Sequence, residues 1–149
     1  MDKVKIELIK IGHLPFDLNL KKITGWKSNI FEVTSEVSSF GFNLNADLEG
    51  WAYSDEAIKT QFPLGRKSNF QIAIVNFPIE NNWYSRRFAE NQIVFSFYEI
   101  KDFLERKNIP LENAILRVLY GYTLLYKRSG NRIPSLYEKT SFTHDETRG

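Results

Sequence analysis

The chain has 149 residues, 42% hydrophobic and 26% charged, with a net charge of +2, ordinary proportions for a single folded core and far from those of a disordered segment. It contains no cysteine, which excludes disulfides, thiolate metal sites and a cysteine nucleophile, and which suits a reducing, cytoplasmic location. Twelve Phe, seven Tyr and three Trp supply core material instead, each large ring able to bury about 150–250 Å².

Residues 4–11 place Val4, Ile6 and Leu8 on one side and Lys5 and Glu7 on the other, a period of two that predicts a strand ended by Gly12 and Pro15. Residues 13–29 show no period, with Trp26 as an anchor. Ile30 to Val33 predicts a short strand, and Ser35 to Leu48, with alternating Phe40, Phe42 and Leu44, a further strand or a packed loop. Ser54 followed by Asp55 and Glu56 is a helix start, giving a short helix to Gln61 before Pro63 and Gly65. Phe70 to Val75 and Gln92 to Phe97 predict two strands, the second nearly continuous in apolar residues, as expected when both faces are covered. A helix over about 98–107 follows, closed by Arg106 and Lys107 near its negative end. Pro110 then opens the longest helix, about 110–128, with Leu111, Ile115, Val118, Tyr122 and Leu125 in one stripe and Leu116, Leu119, Tyr120 and Leu124 covering much of the rest. A helix this apolar belongs at the centre of the fold.

The expected fold is therefore α+β, a mixed sheet of about four to five strands packed on a long central C-terminal helix and one or two shorter helices. Residues 1–149 read as one domain. Residues 129–149 lack a regular pattern and read as an irregular tail, whose polar end leaves room for a longer protein beyond it. The N-terminus alternates charged and apolar residues, unlike a secretory signal. The apolar run from Ala114 to Tyr126 contains Arg117 and is too short to span a bilayer, so no membrane partner is expected.

Charge is unevenly spread. Residues 30–58 carry Glu32, Glu36, Asp47, Glu49, Asp55 and Glu56 with no Lys or Arg, a local net of −6. Residues 117–149 carry six basic residues against three acidic ones, a local net of +3. Such asymmetry predicts two electrostatically distinct faces unless folding intermixes the charges.

No catalytic set assembles itself in the sequence. The only histidines, His13 and His144, lie far apart, and neither the H-E-x-x-H spacing nor a thiolate is present to build a zinc site. Asp55-Glu56 and Asp145-Glu146 are adjacent pairs whose carboxylates diverge in regular structure. His144, in Thr143-His144-Asp145-Glu146, has the residue types of a base oriented by a carboxylate, against the plainer reading of a polar tail. Gly65-Arg66-Lys67-Ser68 lacks the upstream glycine and strand of a phosphate-binding loop and reads as a basic turn. The segment Trp83-Tyr84-Ser85-Arg86-Arg87-Phe88 interleaves rings with guanidinium groups, which suits base stacking and phosphate contact. Lys127, Arg128 and Arg132 would extend that surface. The plainer reading makes Trp83 and Phe88 core anchors flanking an exposed arginine pair.

From Gln71 onward the order of elements, a strand to Asn76, a polar loop, the strand Ile93-Val94-Phe95-Ser96-Phe97, a short helix and a long central one, resembles the catalytic half of archaemetzincin-type zinc peptidases over about residues 70–149. The resemblance implies that the long helix would carry the zinc-binding histidines and a general-base glutamate. Here that helix reads Arg117-Val118-Leu119-Tyr120-Gly121-Tyr122-Thr123-Leu124-Leu125-Tyr126, without histidine or acid, so no catalytic residue carries over.

The expected function is a non-catalytic protein-interaction or regulatory domain on a degenerate metallopeptidase-like scaffold, with no cofactor and no metal. Its expected partner is protein, either another chain or the rest of its own. The alternatives are a nucleic-acid-binding module using Trp83, Tyr84, Arg86, Arg87, Lys127, Arg128 and Arg132, and a hydrolase or nuclease using carboxylates and His144.

Overall fold

The computed structural model describes residues 3–41, 46–63, 68–80, 85–88 and 91–134. Its centre is β1 (Val4–Ile11), which pairs in parallel along one edge with β2 (Phe31–Val33) and then with β3 (Ser38–Phe40), and along the other with β4 (Phe70–Val75). Next comes β6 (Gln92–Ser96), also parallel, and the sheet closes on β5 (Ser85–Phe88), its one antiparallel strand. Among the described residues the sheet is thus mixed, six-stranded and parallel in all but one pairing. Four helices accompany it among the described residues: α1 (Leu20–Thr24), α2 (Asp55–Lys59), α3 (Ile100–Arg106) and α4 (Leu111–Arg128). The expected α+β class and the long C-terminal helix are both present, with the strand count slightly above expectation.

Strand alternation sorts the core into two layers. Val4, Ile6 and Leu8 of β1, Phe70, Ile72 and Ile74 of β4, and Ile93 and Phe95 of β6 point to one side, where α1, α3 and α4 cover them. Ile9, Ile11, Ala73, Val75 and Val94 point to the other, against Ile58 of α2 and the following Phe62 and Ile79. This double cover is why β4 is buried at every position, as parallel strands are. At the amino end of the second face, Glu7, Gln71 and Gln92 sit in register across three strands. Gln71 donates from Nε2 to Glu7 Oε1 at 2.6 Å and accepts from Gln92 Nε2 at 3.3 Å, so these polar groups enter the sheet already hydrogen-bonded.

Helix α4 buries the whole stripe Leu111, Ile115, Val118, Tyr122 and Leu125, together with Leu116 and Leu119, while Leu124 turns outward. Thr123 Oγ1 donates to Leu119 O at 2.7 Å, and Ser85 Oγ hydrogen-bonds the Tyr122 hydroxyl, tying α4 to the edge strand β5. Pro110 stands one residue before the first helical residue. Ser129, with its N–H on Leu125 O, ends the helix, and Gly130 and Asn131 follow at φ +77° and +62°, left-handed positions that glycine and asparagine tolerate best. Residues 129–134 form neither helix nor strand; the remainder of the expected tail lies outside the described residues. No helix among the described residues is long and apolar enough to cross a membrane.

Two elements depart from expectation. Residues 20–24, within the stretch expected to be irregular, form α1, its start capped by Asn19, whose side chain accepts from Lys22 N. The turn is too short to show a helical period, and long-range bonds hold it: Asn19 N donates to Glu112 Oε2 at 2.9 Å and Trp26 Nε1 to the Tyr120 hydroxyl at 3.0 Å. Residues 85–88 form β5, a fully buried strand made of Ser-Arg-Arg-Phe. Two adjacent arginines hide a buried strand from any hydropathy reading.

Candidate interaction surfaces

The segment expected to bind nucleic acid does not present its arginines to solvent. Register places Arg86 opposite Val94 and Arg87 opposite Ile93, so they face opposite sides of the sheet, with residue exposures of 1% and 8%. Arg86 Nε and Nη2 donate to the two Asp55 carboxylate oxygens at 2.8 and 2.6 Å, and Nη2 lies 3.6 Å from Glu80 Oε2. The expected exposed arginine pair is therefore corrected. Arg86 is a buried ionic tie between β5 and α2, kept because its charge is matched at two points. Trp83 and Tyr84 lie outside the described residues, as does His144.

The other expected basic residues fare differently. Arg128 and Arg132 are exposed and Lys127 is half-buried. Lys127 meets Lys3 and Lys5 of the β1 entry around a cleft of about 680 Å³ that Asn69, Asn131, Tyr126 and Glu32 also line. Folding thus gathers lysines from opposite ends of the chain, a juxtaposition that spacing does not reveal. The basic last turn of α4 is also where the helix dipole favours cations. His13 is exposed after β1 and borders a smaller cleft with Lys10, Asp17 and Ser39. Among the described residues no three His, Cys, Asp or Glu side chains gather in a way that would hold a metal ion.

Two apolar features were not foreseen. The first is a groove of about 430 Å³ between α3 and α4, lined by Ile100, Phe103, Leu104 and Ile109 on one side and by Asn113, Ala114, Arg117 and Val118 on the other. Leu104 and Val118 floor it as core residues, whereas Phe103, 49% exposed, and Ile109 stand at its rim. The groove lies where the short α3 and the long α4, joined through residues 107–110, face one another.

The second is the 3-10 turn Glu49–Trp51 ahead of α2. Its Trp51 is 83% exposed and has φ +62°. Leu48 and Glu49 beside it are also exposed. Asp47 accepts from the Ser54 hydroxyl at 2.5 Å and from Ser54 N at 2.8 Å, and these bonds, the hydroxyl first, hold its carboxyl below the usual value because they favour the charged form.

Comparisons with family models, with curated proteins and with solved structures find no match.

Proposed function

We propose that this chain is a non-catalytic protein-interaction domain that docks a partner segment in the groove between α3 and α4. The observation that carries the reading is Phe103, an aromatic ring half in solvent at the rim of an apolar groove whose floor belongs to the core. Large exposed rings cost hydration free energy and mark binding surfaces when they adjoin an apolar cleft. A groove walled by two helices accommodates the apolar face of an amphipathic helix, with Arg117 and Asn113 to orient it. The likeness to archaemetzincin-type peptidases belongs to this proposal as a scaffold without its chemistry, since the long helix has neither histidine nor acid between Arg117 and Tyr126.

The test is selection of displayed helical peptides on the full chain, followed by titration on variants. Binders are expected to carry apolar residues at helical spacing and to lose about tenfold or more in affinity with Phe103→Glu, as for a central interface aromatic. Recovery only of peptides indifferent to Phe103→Glu rejects the groove.

One observation favours nucleic acid as a second reading: the cleft lined by Lys3, Lys5 and Lys127. On that reading single-stranded oligonucleotides bind with an affinity that falls steeply with salt, and Lys5→Ala with Lys127→Ala weakens them. Salt-independent or absent binding removes it.

A further inference from the structure

Trp51 has the opposite of a core tryptophan's surroundings. Tryptophan is highly buried on average, yet this one is 83% exposed, on a turn whose neighbours Leu48 and Glu49 also face solvent. Its backbone is left-handed at φ +62°, a conformation that is a genuine outlier for a bulky side chain. Strain of this kind persists only where surrounding structure imposes it, and it gathers at functional positions.

The surrounding structure does impose it. Leu48 N donates to Ala52 O at 3.1 Å, closing the turn, and Tyr53 N donates to Pro78 O at 2.9 Å, fixing its exit. Asp47 clamps Ser54 through both its hydroxyl and its N–H, and Ser54 in turn caps α2 by accepting from Ala57 N at 3.1 Å. Ala52 is buried, and the Tyr53 ring packs on Phe77 at 4.5 Å between centroids. Both rings rest on the core layer opposite α3 and α4, so this turn and the groove lie on different faces of the sheet. The indole is thus held outward before any partner arrives, which reduces the ordering cost of binding.

Charge then selects the partner. Of the carboxylates around the turn, Asp55 is committed to Arg86. Asp47 stays charged through its bonds to Ser54, Glu49 is exposed, and the Glu56 side chain is 85% exposed, with Lys59 at 3.8 Å. An apolar anchor on a segment that carries several negative charges complements an apolar cleft flanked by lysine or arginine and repels phosphate backbones.

We propose that Trp51, on a turn that carries Asp47 and Glu49 and leads into Glu56 of α2, is the anchor of a second docking surface whose occupant is a basic segment of a partner protein. The surface is separate from the α3–α4 groove and stands or falls without it.

Short random peptides are displayed and selected in parallel on the full chain and on Trp51→Ala, with Trp51→Asn as a second variant whose side chain suits the left-handed backbone. Circular dichroism and denaturation verify that both variants fold. Peptides that depend on Trp51 are expected to pair lysine or arginine with apolar residues and to weaken about tenfold or more on both variants. They should also weaken on Glu49→Gln with Glu56→Gln and lose affinity as salt rises. The proposal is overturned if every recovered peptide binds the Trp51 variants as well as the unaltered chain, or if the Trp51-dependent peptides are neutral or acidic. Peptides lost only with Phe103→Glu would leave the groove standing and this surface rejected. Sedimentation of the chain alone covers the remaining case, since Trp51-dependent self-association makes a second copy the occupant and overturns the basic-segment assignment.

Discussion

Arg86, in the edge strand β5, and Asp55, the first residue of α2, are joined by two parallel hydrogen bonds of 2.8 and 2.6 Å, and the arginine is 1% exposed. Glu80 braces the same corner, accepting the Asp55 N–H at 3.2 Å while approaching Arg86 at 3.6 Å. A short helix and a short edge strand, each weak alone, are thereby fastened to one another across the second face of the sheet.

Removing Asp55 takes from the buried Arg86 its two-point partner and leaves it beside Glu80 at 3.6 Å, and removing Arg86 leaves Asp55 and Glu80 as neighbouring like charges. Arg86→Ala should lower stability by about 3–5 kcal/mol, and Asp55→Ala by a similar amount. The double substitution should cost clearly less than the sum of the two, because the second change removes the charge that the first had stranded. Urea denaturation of the three variants measures this, and strict additivity would show the pair to be uncoupled.

Trp51 is expected to behave in the opposite way. Its side chain contributes little burial, and its left-handed backbone costs about 1–2 kcal/mol for an ordinary residue. Trp51→Asn should therefore leave stability unchanged or raise it by about 1 kcal/mol, since asparagine visits that region more readily. A marked fall in the unfolding midpoint would mean that the indole supports the fold rather than a partner.

Ser54 links the turn to α2, and its loss should be felt twice. Ser54→Ala removes the helix cap, a cost of about 0.5–2 kcal/mol, and also the two-point clamp's hydroxyl half on Asp47. The hydroxyl and N–H of Ser54 hold the Asp47 carboxyl below its ordinary 3.8. A carboxylate lowered on folding contributes stability above its unfolded value and loses it as pH falls through the folded one. The stability difference between the unaltered chain and Asp47→Asn should accordingly be constant at neutral pH and shrink as pH drops below 3.8. A difference that grows in acid would reverse the sign and refute the clamp.

Leu125 tests the centre of the fold. It is fully buried on α4 within the larger core layer, so Leu125→Ala should cost about 2–5 kcal/mol through lost burial and the cavity left behind. Leu124→Ala, one residue earlier but facing outward, should cost far less. Thermal or chemical unfolding of the two side by side checks the helix orientation.

Where burial and period coincide, the sequence was readable. Val4–Ile11, Phe70–Val75, Gln92–Ser96 and the long helix all carry long apolar patterns, and each was expected within a residue or two of its bounds. Ser54-Asp55-Glu56 announced α2 because a cap is a local hydrogen bond between near neighbours. β5 was missed for the complementary reason. Arg86 and Arg87 read as a solvent-facing basic pair until Asp55, thirty-one positions away in sequence, supplies the charge that lets Arg86 be buried. The candidate surfaces divide in the same way. Lys127 was singled out from local composition, but its neighbours Lys3 and Lys5 come from the other end of the chain.

The sequence by itself determined the class of this protein: a cysteine-free α+β fold with a nearly all-apolar central helix that carries no metal-binding residues between Arg117 and Tyr126. Those properties follow from composition and short-range period, which are written into consecutive residues. Only the tertiary structure decided which polar and aromatic groups face water. Exposure depends on what packs against a side chain from elsewhere in the chain. An aspartate at the start of a short helix can let an arginine be buried, and a turn clamped at Asp47 and Ser54 can hold a tryptophan out in solvent against its own hydrophobicity.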